Sequence, residues 1–384
     1  MFYRTVAIRH LSSTGFLFGW NTTVALTSLA LPNYVLSKIF ITFTIYKTLK
    51  TTIMADVKTE YMGLKLNSPI IAASSGLTNS LKDIQEFEEN GAGAVVIKSI
   101  FEEEIRLFLE RDQKAMARND FIYPETIDFY DNMASDDTLT QHLGLISEAK
   151  KRTSLPIIAS INCVSSEKWP SYAQYLQDAG ADAIELNMFL MPSDFDKTCD
   201  EREKIFFNVI EAVQQHIQIP LSLKISYYSS NLGPMIQQLS HSGIDGLVLF
   251  NRFYSPDIDI NKIKLLSTNV LSHASEINMP LRWIGIMSDR AGCDLAASTG
   301  VHDGSGVIKM ILAGAQVVQV ASSIYKNGKS HVQTMLHDVS SWMDQKKYAS
   351  LDDFRGLLST RRTENPAAYY RMQFMKHFAG KDQS

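Results

Sequence analysis

Along this chain a short apolar run repeatedly ends on a residue able to do chemistry. Ser74-Ser75-Gly76 closes Pro69–Ala73, Lys98-Ser99 closes Ala94–Ile97, Asn162 closes Pro156–Ile161, and Asn187 closes Ala183–Leu186. Further on, Lys224 stands at the end of Leu221–Ile225 and Asn251 follows Gly246–Phe250, while the last units offer Thr299-Gly300 and Ser322-Ser323. The side-chain amides of Asn162 and Asn187 both donate and accept, which suits the edge of a heterocycle. Lys98 and Lys224 imply a ligand that is anionic or becomes so during reaction, because a buried ammonium with no partner is costly. The late Gly and Ser clusters suit a phosphate. Any one of these residues is as readily a satisfied polar group of the core. Eight of them at one mouth are hard to explain as structure alone.

The elements that would bring them to one mouth are legible as a repeated strand-then-helix pattern. The apolar runs, which also include Leu281–Met287 and Val317–Ala321, are β-branched or Leu-rich without polar alternation, as strands buried on both faces of a parallel sheet require. Amphipathic stretches lie between them, among them Leu81–Asn90, Trp169–Ala179, Glu201–His216 and Gly233–Ser242, and several end at a helix-stopping glycine. About eight such units predict an α/β fold of the (β/α)8 TIM-barrel type, whose sites are built at the C-terminal ends of the strands. An open doubly wound sheet is the rival. It would carry a Gly-rich loop after its first strand, whereas Gly91-Ala-Gly93 precedes a strand. A heterocycle, a developing negative charge and a terminal phosphate together describe flavin mononucleotide (FMN), with a lysine where the reduced ring gathers charge.

Composition narrows the field. The 384 residues are 45% hydrophobic and 20% charged with a net charge of -4, which fits a soluble globular protein and excludes a collagen-like or disordered chain. No basic tract invites nucleic acid. The three cysteines, Cys163, Cys199 and Cys293, are widely spaced, with neither a disulfide framework nor metal-type pairing, so a reducing, cytoplasmic setting and no metal are expected. Residues 1–53 stand apart: five Lys and Arg, and not one Asp or Glu, against 32 basic and 41 acidic residues in the remainder. The uncharged stretch Leu11–Ser37 is too interrupted by polar residues, Gly and Pro for a spanning helix, and Met54-Ala-Asp-Val reads as an alternative start. Residues 1–53 are set aside as an atypical prefix, and 54–384 are taken as the barrel with C-terminal helices.

The run from Asn67 to Gly76, then Lys98-Ser99, Ile184–Asn187, Leu223-Lys224 and Leu249–Asn251, resembles the dihydroorotate dehydrogenase family, nearest its soluble class. Thr299–Gly304 followed by Leu312–Val320 is similar to that family's phosphate-binding end, and Tyr348–Gly356 to its last helix. The resemblance runs colinearly over roughly 54–360. It implies oxidation of dihydroorotate to orotate in pyrimidine synthesis, on an FMN held by Ala73, Ser74, Gly76, Lys98, Ser99, Asn162, Asn187, Lys224, Thr299, Gly300, Ala321 and Ser322. It also implies substrate contacts from Lys98, Asn187, Asn251 and the neighbouring Arg252, with Lys98 and Lys224 taking part in catalysis. It makes Cys293–Ser298 the seventh barrel strand and Leu281–Met287 accessory, where periodicity alone prefers the reverse. Dimerisation, common in the soluble class, is implied for assembly.

The pattern breaks at the general base. The family motif after strand four reads Asn, x, Ser, Cys, Pro, Asn, but this chain has Asn187-Met-Phe-Leu-Met-Pro-Ser-Asp194. The base position falls on Leu190 or Met191, neither of which accepts a proton. Ser193 or Asp194 would have to substitute; Cys199 reads as a plain thiol. Arg252 stands where the family has Ser or Thr, and either grips a substrate carboxylate or pairs with Asp257 or Asp259. The loop after strand two corresponds to Phe121–Asn132, where Tyr123 and Tyr130 either stack on a planar ligand or pack the loop. Three alternatives therefore stand beside dihydroorotate oxidation. One is an FMN oxidoreductase for another planar or carboxylated substrate. The others are a flavin-free lyase using Lys224 as a Schiff base, and a barrel holding FMN without turnover.

Overall fold

The computed structural model describes residues 55–102, 139–163, 167–252, 255–268 and 270–370. The prefix 1–53 and the Phe121–Asn132 loop, with Tyr123 and Tyr130, lie outside the described residues.

Eight short parallel strands form the barrel: β1 (Ile70–Ala72), β2 (Ala94–Val96), β3 (Ile157–Asn162), β4 (Ala183–Asn187), β5 (Leu221–Ile225), β6 (Gly246–Leu249), β7 (Asp294–Ser298) and β8 (Val317–Val320). Each pairs in parallel with the next, β8 returns to β1, and the β2–β3 pairing completes the closure. Helices fill the crossovers. Leu81–Glu89 buries Ile84 and Phe87, and Cys199–Gln214 is opened by a capping box between Thr198 and Glu201. An antiparallel hairpin, Thr59–Tyr61 with Leu64–Leu66, supplies Tyr61, Met62 and Leu66 to the barrel interior, and the Met62 amide donates to Asp294 at 2.7 Å.

The two-residue period of the strands decides what faces inward. Ile71, Ala94, Val96, Ile158, Ala183, Val248, Ala296 and Val317 form the apolar inner cluster, while their chain neighbours pack outward against helices. Stepping two residues further along the same face reaches the polar Lys98, Ser160, Glu185, Ser298 and Gln319 together with Ala73 and Phe250. The interior is thus apolar at the hairpin end and polar at the mouth.

Two sequence expectations are corrected here. Leu281–Met287 is not a strand; it belongs to the helix Asn278–Met287, which buries Pro280, Ile284, Gly285 and Met287, and β7 takes the place that the family resemblance gave it. A helix covered on most sides reads as a continuous apolar run, like a parallel strand. Tyr348–Gly356 is also not a helix. It carries a three-residue 3-10 turn, Leu351–Asp353, after the long helix His331–Lys346, with Phe354 packed edge-on to Trp342 at 5.0 Å.

Candidate functional site

The strand ends converge as the sequence suggested. After β1 and β2, the Ser74 and Ser99 hydroxyls lie 3.0 Å apart, the Ser99 amide donates to Ser74 Oγ at 2.9 Å, and Ser99 reaches Ser160 of β3 at 2.7 Å. Ala73 is buried, its amide donating to the Val320 carbonyl, and Gly76 opens the 3-10 turn Gly76–Thr78. Asn162 and Asn187 end β3 and β4 half-buried. Asn251 Nδ2 donates to Asn187 Oδ1 at 2.7 Å, fixing both amides at the mouth. The β4–β5 register sets Asn187 beside Lys224.

Lys224 is buried at the barrel centre. Its Nζ donates to Gln319 Oε1 at 2.8 Å and lies 3.7 Å from Glu185 Oε1, and Gln319 Nε2 donates to Glu185 Oε2 at 2.5 Å. The sequence reading passed over Glu185 and Gln319 because both sit inside apolar runs. Their signal was register: Glu185 shares a face with Asn187, and Gln319 with Ala321.

At the far side of the mouth Thr299 (φ +81°) and Gly300 (φ +79°) both adopt the left-handed conformation. A Cβ on Gly300 would stand 2.1 Å from the Ile277 amide nitrogen, so that position admits no side chain. Ala321 and Ser322 begin the short helix Ser322–Asn327; Ser322 Oγ accepts from the Ser272 amide at 3.0 Å. Ser272 Oγ lies 2.9 Å from His302 Nε2, and Lys326 donates to the Ser272 carbonyl at 2.7 Å. Gly300 is thus required by the Ile277 backbone packed against it, and beside it the Ser272 and Ser322 hydroxyls with the Lys326 ammonium make a donor set that fits a phosphate.

Arg252 pairs with neither Asp257 nor Asp259. Its guanidinium donates to both Glu276 oxygens, at 2.8 and 3.3 Å, and to the Val270 carbonyl at 2.9 Å. Burial pushes the Glu276 carboxyl up, but the hydrogen bonds from Arg252 and the His273 amide outweigh it and hold it below its ordinary value. A guanidinium so engaged is a wall of the mouth.

The segment after β4 offers no ready base. Leu190 is half-buried, Met191 is 44% exposed, and Ser193 and Asp194 are exposed. Lys197 beside Asp194, helped by the Asp196 amide, holds that carboxyl below its ordinary value and weakens it as a proton acceptor. Cys199 is exposed and donates to Glu203. Ser193→Ala is expected to change the rate of substrate oxidation by less than about twofold, since removal of a true general base costs about 10²–10⁴-fold. Steady-state rates of the two proteins decide it. What the sequence reading missed is an aromatic rim. Tyr227 and Tyr228 after β5 stack at 4.7 Å, with Phe250 edge-on to Tyr227 at 5.8 Å and Phe189 edge-on to Tyr228 at 6.3 Å.

Lys98 lines a cavity of about 330 Å³ with Asn79, Ser99, Gln141 and His142. Burial, then the charge of Lys98, pushes the His142 imidazole down to about 4 from its ordinary 6.5. The unfolded chain therefore takes up a proton in that window and the folded chain does not, so stability falls as pH drops through it, by up to about 3 kcal/mol. Urea unfolding at about pH 7 and about pH 4.5 should show this loss, and His142→Gln should remove it. Among the described residues no three His, Cys, Asp or Glu side chains gather as a metal site, and no helix is long and apolar enough to cross a membrane.

A closed parallel barrel that gathers lysines, amides and hydroxyls at the C-terminal ends of its strands is a (β/α)8 TIM barrel with a polar mouth. The family model for dihydroorotate dehydrogenase matches residues 56–343. The chain is 25% identical over 313 residues to the catalytic subunit of dihydroorotate dehydrogenase B (NAD(+)) of Thermoplasma acidophilum, covering 79% of this chain and 99% of that one. It is 23% identical to the Thermoplasma volcanium subunit of the same description, over 80% of this chain and all of that one. A putative dihydroorotate dehydrogenase A (fumarate) of Aeropyrum pernix matches at 23% over 77% and 94% of the two chains. The chain belongs to the dihydroorotate dehydrogenase family, whose members are flavin-dependent oxidoreductases acting on CH–CH bonds.

Proposed function

We propose that residues 54–384 bind FMN and oxidise dihydroorotate to orotate in pyrimidine synthesis. The observation that carries this reading is Lys224, an ammonium buried at the barrel centre and aligned with the Asn187–Asn251 amide pair. When bound, the flavin would supply the hydride acceptor. Lys224 would face the part of the ring that becomes electron-rich, with Asn162 and Asn187 at polar ring edges. Ala73, Ser74, Gly76 and Ser99 would line the ring's near side, and Thr299, Gly300, Ala321 and Ser322 would hold the phosphate. Lys98 would lie between cofactor and substrate, with Asn187 and Asn251 on the substrate. The protein would work in the cytoplasm, as a homodimer by analogy with its soluble relatives.

A second reading keeps the cofactor and changes the substrate. The apolar Leu190 and Met191 at the base position, together with the Tyr227–Tyr228 stack, favour a planar substrate other than dihydroorotate. The Schiff-base reading is the weaker one, because an ammonium engaged by Gln319 and Glu185 has no free lone pair for a carbonyl. Anaerobic dihydroorotate should bleach the bound flavin under the first reading. Flavin that binds but stays oxidised would select the second.

A further inference from the structure

Glu185 is a carboxylate at the very centre of the barrel, fully buried, and the proposed oxidation gives it no task. Its neighbours form a closed ring across the interior. Gln319 comes from β8 and Lys224 from β5, strands separated by β6 and β7, and the Gln319 amide spans that gap. The amide oxygen takes the ammonium and the amide nitrogen gives to the carboxylate, so neither end can flip without facing a like partner. Glu185 Oε1 has no hydrogen bond of its own and meets Lys224 only as an opposite charge at 3.7 Å. Beneath it, the Tyr61 hydroxyl is pushed well above its ordinary pKa, first by burial and next by the Glu185 charge. The carboxylate is felt through the barrel core because little there screens it.

We infer that Glu185 is a positioning residue that aims Lys224 at the mouth through Gln319 and partly neutralises it, thereby setting how strongly the site stabilises reduced flavin. The inference rests on the FMN reading. The ring carries no net charge before a cofactor arrives. An electron-rich flavin therefore meets an ammonium already shared with a carboxylate. Gln319 keeps ammonium and carboxylate from closing into direct contact, which would draw Lys224 down from the mouth.

Glu185→Gln keeps the shape and an acceptor for the Gln319 amide, and leaves Lys224 its own acceptor on Gln319, but removes the negative charge. In the FMN-loaded protein, titrated against a redox dye of known potential, the ratio of reduced to oxidised flavin at fixed poise should rise by roughly tenfold. The dissociation constant for oxidised FMN should change little. Gln319→Leu, which removes the brace, should move the ratio the other way and weaken FMN binding, and it serves as the test should Glu185→Gln not fold. Flavin bound with an unchanged ratio in the folded variant, or a ratio that falls in Glu185→Gln, overturns the inference while leaving the cofactor reading intact. Wild-type protein that takes up no flavin overturns both, a result distinct from bound flavin whose potential does not respond.

Discussion

Lys224→Met is expected to lose flavin reduction by about 10²-fold or more and to destabilise the fold by about 3–5 kcal/mol. Both effects come from the same burial. The ammonium is 8% exposed and the Glu185 carboxylate 1%, so removing the cation strands a charge that water cannot reach. Gln319 Nε2 would still donate to Glu185, but its Oε1 would lose its donor. For a barrel of this size the stability loss corresponds to about 4–7 °C in Tm. The chemical loss follows from removing a preorganised cation where charge gathers in the reduced ring. A double variant, Lys224→Met with Glu185→Met, separates the two. Replacing both charges by apolar side chains should restore part of the Tm, because the stranded carboxylate is gone while both ends of the buried Gln319 amide lose their partners. Flavin reduction should stay lost. Thermal unfolding and anaerobic stopped-flow reduction of both variants check this, and recovery of reduction in the double variant would remove Lys224 from the chemistry.

Gly300→Ala is expected to weaken FMN binding by more than about tenfold and to cost about 3 kcal/mol or more of stability. The added methyl has two penalties. The first is conformational, because φ at +79° costs a side-chain-bearing residue about 1–2 kcal/mol. The second is steric: the nearest atoms are the Ile277 amide nitrogen at 2.1 Å, the Ile277 Cα at 2.6 Å and the Glu276 carbonyl carbon at 2.7 Å, which are backbone and cannot swing aside. Displacing that segment would also disturb the Glu276–Arg252 pair that walls the mouth. Gly63→Ala is the control. Gly63 has φ of +73° with nothing within 4 Å of a new Cβ, so it should incur only the conformational cost. Flavin titration and urea unfolding of the two variants separate the steric contribution, and equal losses would refute it.

Much of the site was legible because a parallel barrel delivers every strand end to one mouth. Reading Lys98, Asn187 and Lys224 off the ends of apolar runs therefore needed no knowledge of distance. The helix Asn278–Met287 was not legible by periodicity, since its apolar residues run nearly unbroken and only family order placed β7 after it. Glu185 and Gln319 required the register, because mid-strand polar residues are exposed to notice only once the inward face is known. The partner of Arg252 was out of reach for a different reason. Glu276 lies on a segment beyond the Ser255–Thr268 hairpin, while Asp257 and Asp259 were nearer in sequence and sit on the hairpin itself. Proximity along the chain was a poor guide where an inserted hairpin intervenes. The missing base was visible from sequence and is sharpened by structure, because Asp194 is exposed and held ionised by Lys197.

The absorption spectrum of the purified protein, taken before and after anaerobic dihydroorotate, bears most directly on the assignment. A yellow protein that bleaches on addition of dihydroorotate is the result expected of a barrel mouth built around Lys224 and a flavin. A colourless protein that also refuses added FMN would contradict it.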